Sequence, residues 1–304
     1  MSKKILITGG AGFMAHHVID KILSKTEWEI VTLDRLDFSG NLNRLNEVVS
    51  SYDDKVRKRV KVVYHDLKAE LNPEICASIG KIDLIAHLAA GSHVERSIKF
   101  PIEIVKDNVL GTAHILVFAR KCDGLDRFGY FSTDEIFGPA PPGINYKEND
   151  RYNSTNPYSA TKAAGEELVV AYENTYGLPS FITHTMNVFG ERQHPEKFIP
   201  MTIQRVRDQQ KVLIHANEEK TKAGSRHYIH AQDVADGLMF ILNLKNYIHK
   251  GDFGNAKCPK FNLVGPEEID NLTLAQTIAK VQNKDLEIAA EDLRMATRHL
   301  GSII

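Results

Sequence analysis

Two acids and a hydroxyl stand together at the end of an apolar run in the middle of the chain. Phe131-Ser132 leads into Thr133, Asp134 and Glu135. Two neighbouring carboxyl groups resist joint ionisation, so one can stay protonated while the other is charged. Such a pair can supply an acid and a base to one substrate. The alternative without chemistry is a solvated turn.

A tyrosine and a lysine follow further along, in a segment that begins with Asn156-Pro157 and predicts a helix. Tyr158 and Lys162 are four positions apart, which places them on one face of that helix, one turn apart. An ammonium beside a phenol lowers the pKa of the phenol. We therefore expect Tyr158 to act as a base or acid near neutral pH. Alone, such a pair is weak evidence, because chance pairs on helices are common.

A glycine-rich turn near the N-terminus follows a short apolar run at residues 5–8, and an apolar periodicity typical of a helix comes after it. Glycines let the backbone approach a pyrophosphate, and the start of a helix offers amide donors. The pattern predicts a dinucleotide site that includes Gly9, Gly12, Phe13 and Met14. A simple tight turn is the alternative.

The second predicted strand, residues 29–34, ends in an acid. Asp34 lies 22 positions after Gly12, where an acid that binds the cofactor ribose is expected. A carboxylate at this place accepts ribose hydrogen bonds and repels a 2′-phosphate, which favours NAD over NADP. Arg35 is evidence in the other direction, because an adjacent arginine can bind a 2′-phosphate.

Further apolar runs at residues 60–66, 83–88 and 180–186 alternate with helical patterns, one of them from 102 to 122. Alternating strands and helices predict an α/β fold with a Rossmann-type, doubly wound parallel sheet. Ligands of such sheets bind beyond the carboxyl ends of the strands. The residues expected at those ends are Gly9, Asp34, Asp66, Ala89 and Thr133, with Asp66 as the candidate for the adenine amino group.

We divide the chain at residue 190, into an NAD-binding Rossmann domain at 1–189 and a smaller C-terminal substrate-binding lobe at 190–304. In the lobe we predict a turn at 196–200, helices at 234–244 and 273–282, and a short strand at 261–265. Lys197 and Arg226 are candidate diphosphate ligands, since charge-assisted donors suit phosphate oxygens. Ordinary surface charge is the alternative for both.

The composition is that of an ordinary soluble protein: 304 residues, 42% hydrophobic, 25% charged and a net charge of −1. No global basic field favours nucleic acid or membrane as a partner. The cysteines Cys76, Cys122 and Cys258 lack metal-ligand spacing and argue against a disulfide framework. The N-terminus does not resemble a signal peptide. We therefore expect a cytoplasmic protein without a metal site.

Together these motifs resemble the extended short-chain dehydrogenase/reductase family, from Ile5 to about Gly265, and within it the dTDP-glucose 4,6-dehydratases. The most discriminating motif is Ser-Thr-Asp-Glu at 132–135, since related epimerases usually carry small residues in place of the acid pair. The segments 87–98 and 194–200 are similar to this branch as well. The resemblance implies NAD as cofactor and a nucleotide sugar as substrate.

The resemblance also implies a reaction. Tyr158 takes the proton of the sugar 4-hydroxyl while NAD accepts hydride from C4, and Thr133 hydrogen-bonds near the 4-oxygen. Lys162 lowers the pKa of the tyrosine and holds the nicotinamide ribose. Glu135 removes the C5 proton, Asp134 protonates the departing 6-hydroxyl, and hydride returns to C6. Water is lost and no NAD is consumed.

Further positions carry over from the resemblance residue by residue. The cofactor side comprises Gly9, Gly12, Phe13, Met14, Asp34, Asp66, Leu67, Ala89, Asn108, Ser132, Tyr158 and Lys162. The substrate side comprises Ser92, His93, Asn187, Glu196, Lys197, Arg226 and Asn262. For His93 a core histidine is the alternative. The family also implies a homodimer through helices at about 103–122 and 157–176.

Three departures from the branch leave the substrate open. Gly91 replaces an acid, 191–193 do not follow the usual pattern, and the Arg-Pro-Gly-His-Asp segment near the C-terminus is not recognisable at 295–301. UDP-glucose, CDP-glucose or UDP-N-acetylglucosamine could replace dTDP-glucose. A nucleotide-sugar epimerase is the rival enzyme, and a non-catalytic NAD-binding sensor is the rival of another class.

Overall fold

The computed structural model describes residues 2–37, 39–141, 143–217, 219, 221–244 and 258–292. These residues form two compact units. The first comprises Met1–Thr185 and Ala231–Leu263, and the second Met186–His230 and Val264–Ile304. The unusual segment 295–301 lies outside the described residues. No described helix combines the length and hydropathy needed to cross a membrane.

The strands, in chain order, are β1 (Lys4–Thr8), β2 (Glu29–Asp34), β3 (Val60–Tyr64), β4 (Leu84–His87), β5 (Arg127–Thr133), β6 (Ser180–Thr185), β7 (Val188–Phe189), β8 (Val212–Ala216), β9 (Ser225–His227), β10 (Ile229–His230), β11 (Lys260–Leu263), β12 (Glu268–Asp270) and β13 (Ile288–Asp292).

The helices are α1 (Phe13–Lys25), α2 (Leu42–Ser50), α3 (Asp54–Arg57), α4 (Pro73–Ile79), α5 (Val94–Lys99), α6 (Pro101–Val105), α7 (Gly111–Arg120), α8 (Pro157–Tyr176), α9 (Phe198–Arg207), α10 (Ala231–Asn243) and α11 (Asn271–Val281). A π-helical turn, Lys106–Leu110, joins α6 to α7, and a 3₁₀ turn, Asp134–Phe137, follows β5.

The first unit is built on a seven-stranded sheet in the order β11-β6-β5-β4-β1-β2-β3. Every neighbouring pair in it is parallel, which confirms the predicted doubly wound sheet. The strand order reverses at β1, between β2 and β4. Ile5, Leu6 and Ile7 are all fully buried, as expected when helices cover both faces of a parallel sheet. Ligands of such folds bind where the order reverses.

Helix α8 is well specified by local sequence. Asn156 caps it, and its side chain and that of Ser159 form a reciprocal capping box. Pro157 occupies the first turn, where its missing N–H costs nothing. Gly177 ends the helix in the left-handed conformation, with φ 69°. The capping box and Pro157 fix where α8 begins and therefore hold Tyr158 in its first turn.

The helix predicted at 102–122 is present but not regular. It begins at Pro101, ends at Arg120 and contains the π-helical turn that includes Asn108. Such turns occur mostly as single insertions and are frequent at functional sites. The helical pattern of apolar residues does not reveal it.

The second unit contains three two-stranded sheets, which pair β7 with β10, β8 with β13 and β9 with β12. A small core joins α9, β8 and α11 through Val206, Val212, Ile214, Ala275 and Ala279. The turn predicted at 196–200 is wrong in its second half, because α9 begins at Phe198. The first turn of a helix tolerates a proline such as Pro200, since its N–H would have no partner within the helix.

Two elements that lie after residue 190 belong to the first unit. Helix α10 packs on α1, and β11 extends the parallel sheet beside β6. The ring of Phe261 in β11 lies edge-on to Phe181, with 6.4 Å between centroids. The described part of the chain therefore leaves the first unit after Thr185 and returns to it at Ala231, so a single boundary at 190 does not match the units.

Candidate active site

The 3₁₀ turn after β5 holds both candidate acids. Thr133 ends the strand and caps this turn. Its hydroxyl donates to Oδ1 of Asp134 at 3.2 Å and accepts from the backbone N–H of Glu135 at 3.3 Å. One buried threonine thus sets the direction of the two acidic residues at the carboxyl end of the strand, as predicted.

Asn156 links this turn to the start of α8. Its Nδ2 donates to Oε2 of Glu135 at 3.2 Å, while its Oδ1 accepts from the backbone N–H of Ser159 at 2.9 Å. The sequence pattern of a helix cap identifies the second contact only. The contact with Glu135 makes Asn156 a candidate functional residue that sequence reasoning missed.

Tyr158 is buried beside the two acids. Burial raises the pKa of its phenol, and the charges of Glu135 and Asp134 raise it further, while a hydrogen bond with Thr133 acts in the opposite direction. The expected lowering of this pKa by Lys162 is therefore wrong in this structure. The direction of the shift shows that both carboxyl groups lie close enough to oppose formation of a phenolate.

Lys162 is directed at strand β5. Its Nζ donates to the carbonyl of Phe131 at 2.5 Å and lies 4.2 Å from the centroid of the Tyr130 ring. Burial lowers the pKa of this ammonium to about 7, and the charge of Glu166 partly opposes the change. Burial thus weakens the ammonium form of this lysine.

Glu166, one turn after Lys162, is fully buried in a polar cluster. It accepts from the hydroxyls of Ser132 and Tyr152, and its Oε2 lies 3.2 Å from Nε2 of His184 and 3.3 Å from Nζ of Lys260. Burial opposes its ionisation, yet these partners hold its pKa below the usual value. The hydroxyl of Ser132, which we predicted on the cofactor side, therefore donates to Glu166.

The glycine turn after β1 fits a bound dinucleotide. Gly9 has φ +70°, and a Cβ there would lie 2.9 Å from Cα of Ala89. Gly12 precedes α1, whose start has no side-chain cap, and a Cβ on it would lie 2.9 Å from the carbonyl oxygen of Gly9. Glycine is thus required where the backbone turns, and the first amides of α1 face an uncapped end, which suits a pyrophosphate. Phe13 and Met14 are the first, half-buried residues of this helix.

Asp34 lies at the end of β2, next to the glycine turn. Its Oδ2 accepts from the N–H of Ala11 at 2.9 Å and its Oδ1 from that of Leu36 at 2.8 Å. Asp66 follows β3 and accepts from the N–H of Lys68 at 2.9 Å. Both acids therefore lie at the carboxyl ends of their strands, as predicted.

Leu67 and Ala89 also lie beyond strand ends. Leu67 is buried, and Ala89 is partly exposed after β4, with its N–H donated to the hydroxyl of Thr8 at 3.1 Å. The cofactor contacts of both residues stay predictions.

Asn108 uses its side-chain amide on the protein itself. Its Oδ1 accepts from the N–H of Gly91 at 2.7 Å, and its Nδ2 donates to the carbonyl of Gly91 at 3.0 Å and to the hydroxyl of Thr161 at 2.9 Å. It thus ties the loop after β4 to α8. This geometry favours a positioning role over direct contact with a cofactor.

The predicted substrate-side residues are divided between the two units. In the first, Ser92 is exposed, and His93 is half-buried immediately before α5, which excludes a core histidine. Asn262, on β11, also belongs to the first unit, and its Oδ1 lies 2.9 Å from Nδ1 of His184.

In the second unit, Asn187 lies just before β7, the exposed Glu196 lies before α9, and Lys197 is the residue that precedes the first turn of α9. Arg226 is exposed on β9 and donates to the carbonyl of Ser225 at 2.7 Å. The substrate roles of all seven residues stay predictions.

This chain is similar in sequence to several known proteins. The dTDP-D-glucose 4,6-dehydratase of Dictyostelium discoideum is 36% identical over 290 residues, which cover 92% of this chain and 62% of that protein. The dTDP-glucose 4,6-dehydratase of Escherichia coli is 31% identical over 295 residues, which cover 91% and 76%. In a trifunctional Arabidopsis thaliana enzyme with UDP-glucose 4,6-dehydratase activity, 37% identical, the match covers only 40% of the protein.

Solved structures are similar to this chain as well. The dTDP-glucose 4,6-dehydratase from Streptomyces venezuelae, solved with NAD bound, has a TM-score of 0.80 and 28% identity, and the match covers 98% of this chain and 91% of that one. A UDP-glucuronic acid 4-epimerase from Bacillus cereus, with a TM-score of 0.81 but 22% identity, shows the fold alone. The family model described as NAD dependent epimerase/dehydratase family matches residues 5–255, and the chain belongs to that family.

Proposed function

We propose that this chain is a nucleotide-sugar 4,6-dehydratase, a hydro-lyase that uses NAD and converts an NDP-hexose to the NDP-4-keto-6-deoxyhexose. The observation that carries the proposal is the position of Asp134 and Glu135 in one turn beside Tyr158, where their charges add to the effect of burial and raise the pKa of the phenol further. An epimerase needs the tyrosine but not two additional carboxyl groups. Elimination of water needs a base at C5 and an acid at the 6-hydroxyl, which two adjacent acids supply.

In the proposed reaction Tyr158 accepts the proton of the 4-hydroxyl, with the hydroxyl of Thr133 as a hydrogen-bond partner of the same oxygen. Glu135 takes the proton from C5, which the 4-ketone has made acidic. Asp134, protonated, gives its proton to the leaving 6-hydroxyl, which departs as water. A protonated Asp134 also removes one of the two charges that oppose the phenolate of Tyr158.

The residues that would hold the cofactor are those of the glycine turn, with the first amides of α1 for the pyrophosphate and Asp34 for the ribose. When bound there, NAD supplies the oxidant at C4 and the reductant at C6. Lys162, held by the carbonyl of Phe131, lies one helical turn after Tyr158. Burial lowers the pKa of its ammonium to about 7, so its charge is sensitive to pH in the neutral range.

The test is a mass measurement of the products from a panel of nucleotide sugars. Purified protein with NAD is given dTDP-glucose, UDP-glucose, CDP-glucose and UDP-N-acetylglucosamine. Loss of one water from any of them supports the proposal and identifies the base and the sugar. Unchanged mass with inverted sugar stereochemistry would mean an epimerase, and tight NAD binding without turnover would favour the sensor.

We also propose that the protein is a cytoplasmic homodimer. Support for the dimer comes from the helices that the resemblance names: Ile102 and Val105 of α6 are 65% and 43% exposed, Leu110 is 40% exposed, and Tyr176 of α8 is 50% exposed. Exposed apolar patches are typical of contact surfaces. Three free cysteines, two of them half-buried and one buried, suit a reducing compartment.

A further inference from the structure

The guanidinium of Arg35, directly after the ribose-binding candidate Asp34, lies between two carboxylates. Its Nε and Nη2 donate to Oδ2 of Asp37 at 2.9 and 2.6 Å. Its Nη1 and Nη2 donate to the two oxygens of Asp107 at 2.5 and 3.3 Å. A third carboxylate, that of Asp66, lies 3.6 Å from Nη1. Although burial opposes its charge, Asp107 and Asp37 raise the pKa of Arg35.

Asp107 is placed for this contact by the irregular helix. It belongs to the π-helical turn, and its side chain is only 13% exposed. The loop after β4 makes room for it at Gly91, where a Cβ would lie 2.5 Å from Cδ1 of Ile104 and 3.1 Å from Oδ2 of Asp107. A larger residue at 91 would displace the carboxylate that meets Arg35.

An arginine near the end of the second strand is the usual partner of the 2′-phosphate of NADP, whereas an acid there binds the ribose of NAD. Here the arginine is present, which favours NADP. It already makes four hydrogen bonds to carboxylates, however, which favours NAD. Charge-assisted bidentate pairs are among the strongest hydrogen bonds in proteins. A 2′-phosphate would have to replace them while it approached Asp34 as well.

The other cations nearby are also engaged. Arg44 donates to the carbonyl of Ser39 at 2.6 Å, and Nζ of Lys68 lies 2.7 Å from Glu103 and 3.4 Å from Asp107. The described residues around Arg35 thus present more carboxylates than cations to a ligand at the end of β2.

We propose that Asp37 and Asp107 determine the preference for NAD over NADP by holding Arg35, so that it cannot serve a 2′-phosphate. This inference rests on the proposed NAD-dependent function, because it concerns the same ribose site. It assigns the specificity for NAD to Asp37 and Asp107, which belong neither to the glycine turn nor to the end of β2. It also explains why an arginine after Asp34 is compatible with NAD.

The test compares the dissociation constants of NAD⁺ and NADP⁺, measured by calorimetry on the full chain. The variants are Asp37→Asn, Asp37→Asn/Asp107→Asn, and the same pair with Arg35→Leu. Glu103→Gln is the matched control. Glu103 lies on the same irregular helix as Asp107, but it pairs with Lys68 and Lys106 and not with Arg35. Thermal unfolding of each variant shows whether it folds.

We expect the Asp37→Asn/Asp107→Asn variant to bind NADP⁺ about tenfold tighter relative to NAD⁺ than the wild type does. Asp37→Asn, a change in a loop, should give a smaller gain in relative affinity for NADP⁺. Glu103→Gln should give no gain. Adding Arg35→Leu to the double variant should abolish its gain. The inference would be overturned if the ratio of the NAD⁺ and NADP⁺ dissociation constants were unchanged in folded Asp37→Asn and double variants, or if the gain survived Arg35→Leu. Either result would leave the proposed function standing. A wild type that binds neither nucleotide would overturn the proposed cofactor and this inference together.

Discussion

At the residue scale, the site depends on charges that act against one another. Burial opposes a phenolate at Tyr158, and the charges of Glu135 and Asp134 oppose it further. Lys162, the expected support for the phenolate, donates to the carbonyl of Phe131. In the proposed reaction, the protonation of one acid therefore helps to make the tyrosine a usable base. The two steps of the proposed reaction are linked through this charge.

The first prediction concerns Glu135→Gln. Water loss should fall by at least about a hundredfold, because the base for C5 is removed. Reduction of NAD by bound sugar, followed by absorbance, should persist. Because the Glu135 charge raises the pKa of Tyr158, its removal lowers that pKa, and the half-reaction should rise with pH at lower values than in the wild type. Full dehydration by this variant would contradict the assigned roles, and exposed Glu167→Gln is the control.

The second prediction separates the two contacts of Asn156. Asn156→Asp keeps an oxygen that can cap α8, so the free energy of unfolding should change by less than about 1 kcal/mol. The amide that donates to Glu135 is replaced by a like charge, and dehydration should slow by about tenfold or more. Asn156→Ser, which caps without adding charge, should lose less activity. Equal activity in wild type and Asn156→Asp would show that the contact with Glu135 is unimportant.

At the element scale, α8 carries Tyr158, Lys162 and Glu166 on successive turns of one face. The first turn meets the candidate acids, the second meets β5 and the third meets a buried cluster of β5, β6 and β11. Glu166 is the counter-charge of that cluster, and its charge favours a protonated Lys162. The helix is thereby fixed along its inner face, which holds the tyrosine in register with the strand end.

The third prediction follows from Glu166. Glu166→Gln should lower the free energy of unfolding at pH 7 by about 3 kcal/mol, because the ammonium of Lys260 loses a buried counter-charge. The pKa of Glu166 is held below its ordinary value of 4.5, so its contribution to stability is present above pH 4.5 and is lost as pH falls through the lower folded value. Urea unfolding should therefore show a decline on acidification in the wild type that is weaker in the variant.

Exposed Glu167→Gln, on the same helix, should leave both the stability and its dependence on acid unchanged. If Glu166→Gln matched the wild type at pH 7, the cluster would not depend on this charge.

At the scale of the whole molecule, what the sequence could predict is what short-range patterns encode. The glycine turn, Asp34 at the end of β2, the acids after β5 and the capped start of α8 each depend on a few adjacent residues. Their common location follows from one topological rule, that parallel strands end at the same edge. The seven-stranded sheet confirms that part of the prediction.

What was missed depends on residues far apart in sequence. Lys162 meets Phe131 across 31 positions and Lys260 meets Glu166 across 94, and no local pattern encodes either contact. The same holds for β11, which returns to the first sheet although a single boundary was expected before it. The pKa of Tyr158 was predicted in the wrong direction because helix spacing gives the neighbour on the helix but neither the burial of the phenol nor the acids on the adjacent turn.

The last prediction concerns assembly. The proposed dimer should have twice the mass of the 34.1 kDa chain by light scattering, and Ile102→Glu/Val105→Glu should weaken it by at least about thirtyfold, because charges would be buried in an apolar contact. Phe240→Glu, on α10 and 68% exposed, places the same charge on an apolar surface outside the proposed contact and should leave the dimer intact. A monomeric wild type, or a dimer that survives the double change, would contradict the proposal. Because α6 leads through the π-helical turn to Asp107 and Asn108, a weaker dimer with altered NAD affinity would also show that assembly supports the ribose side of the site.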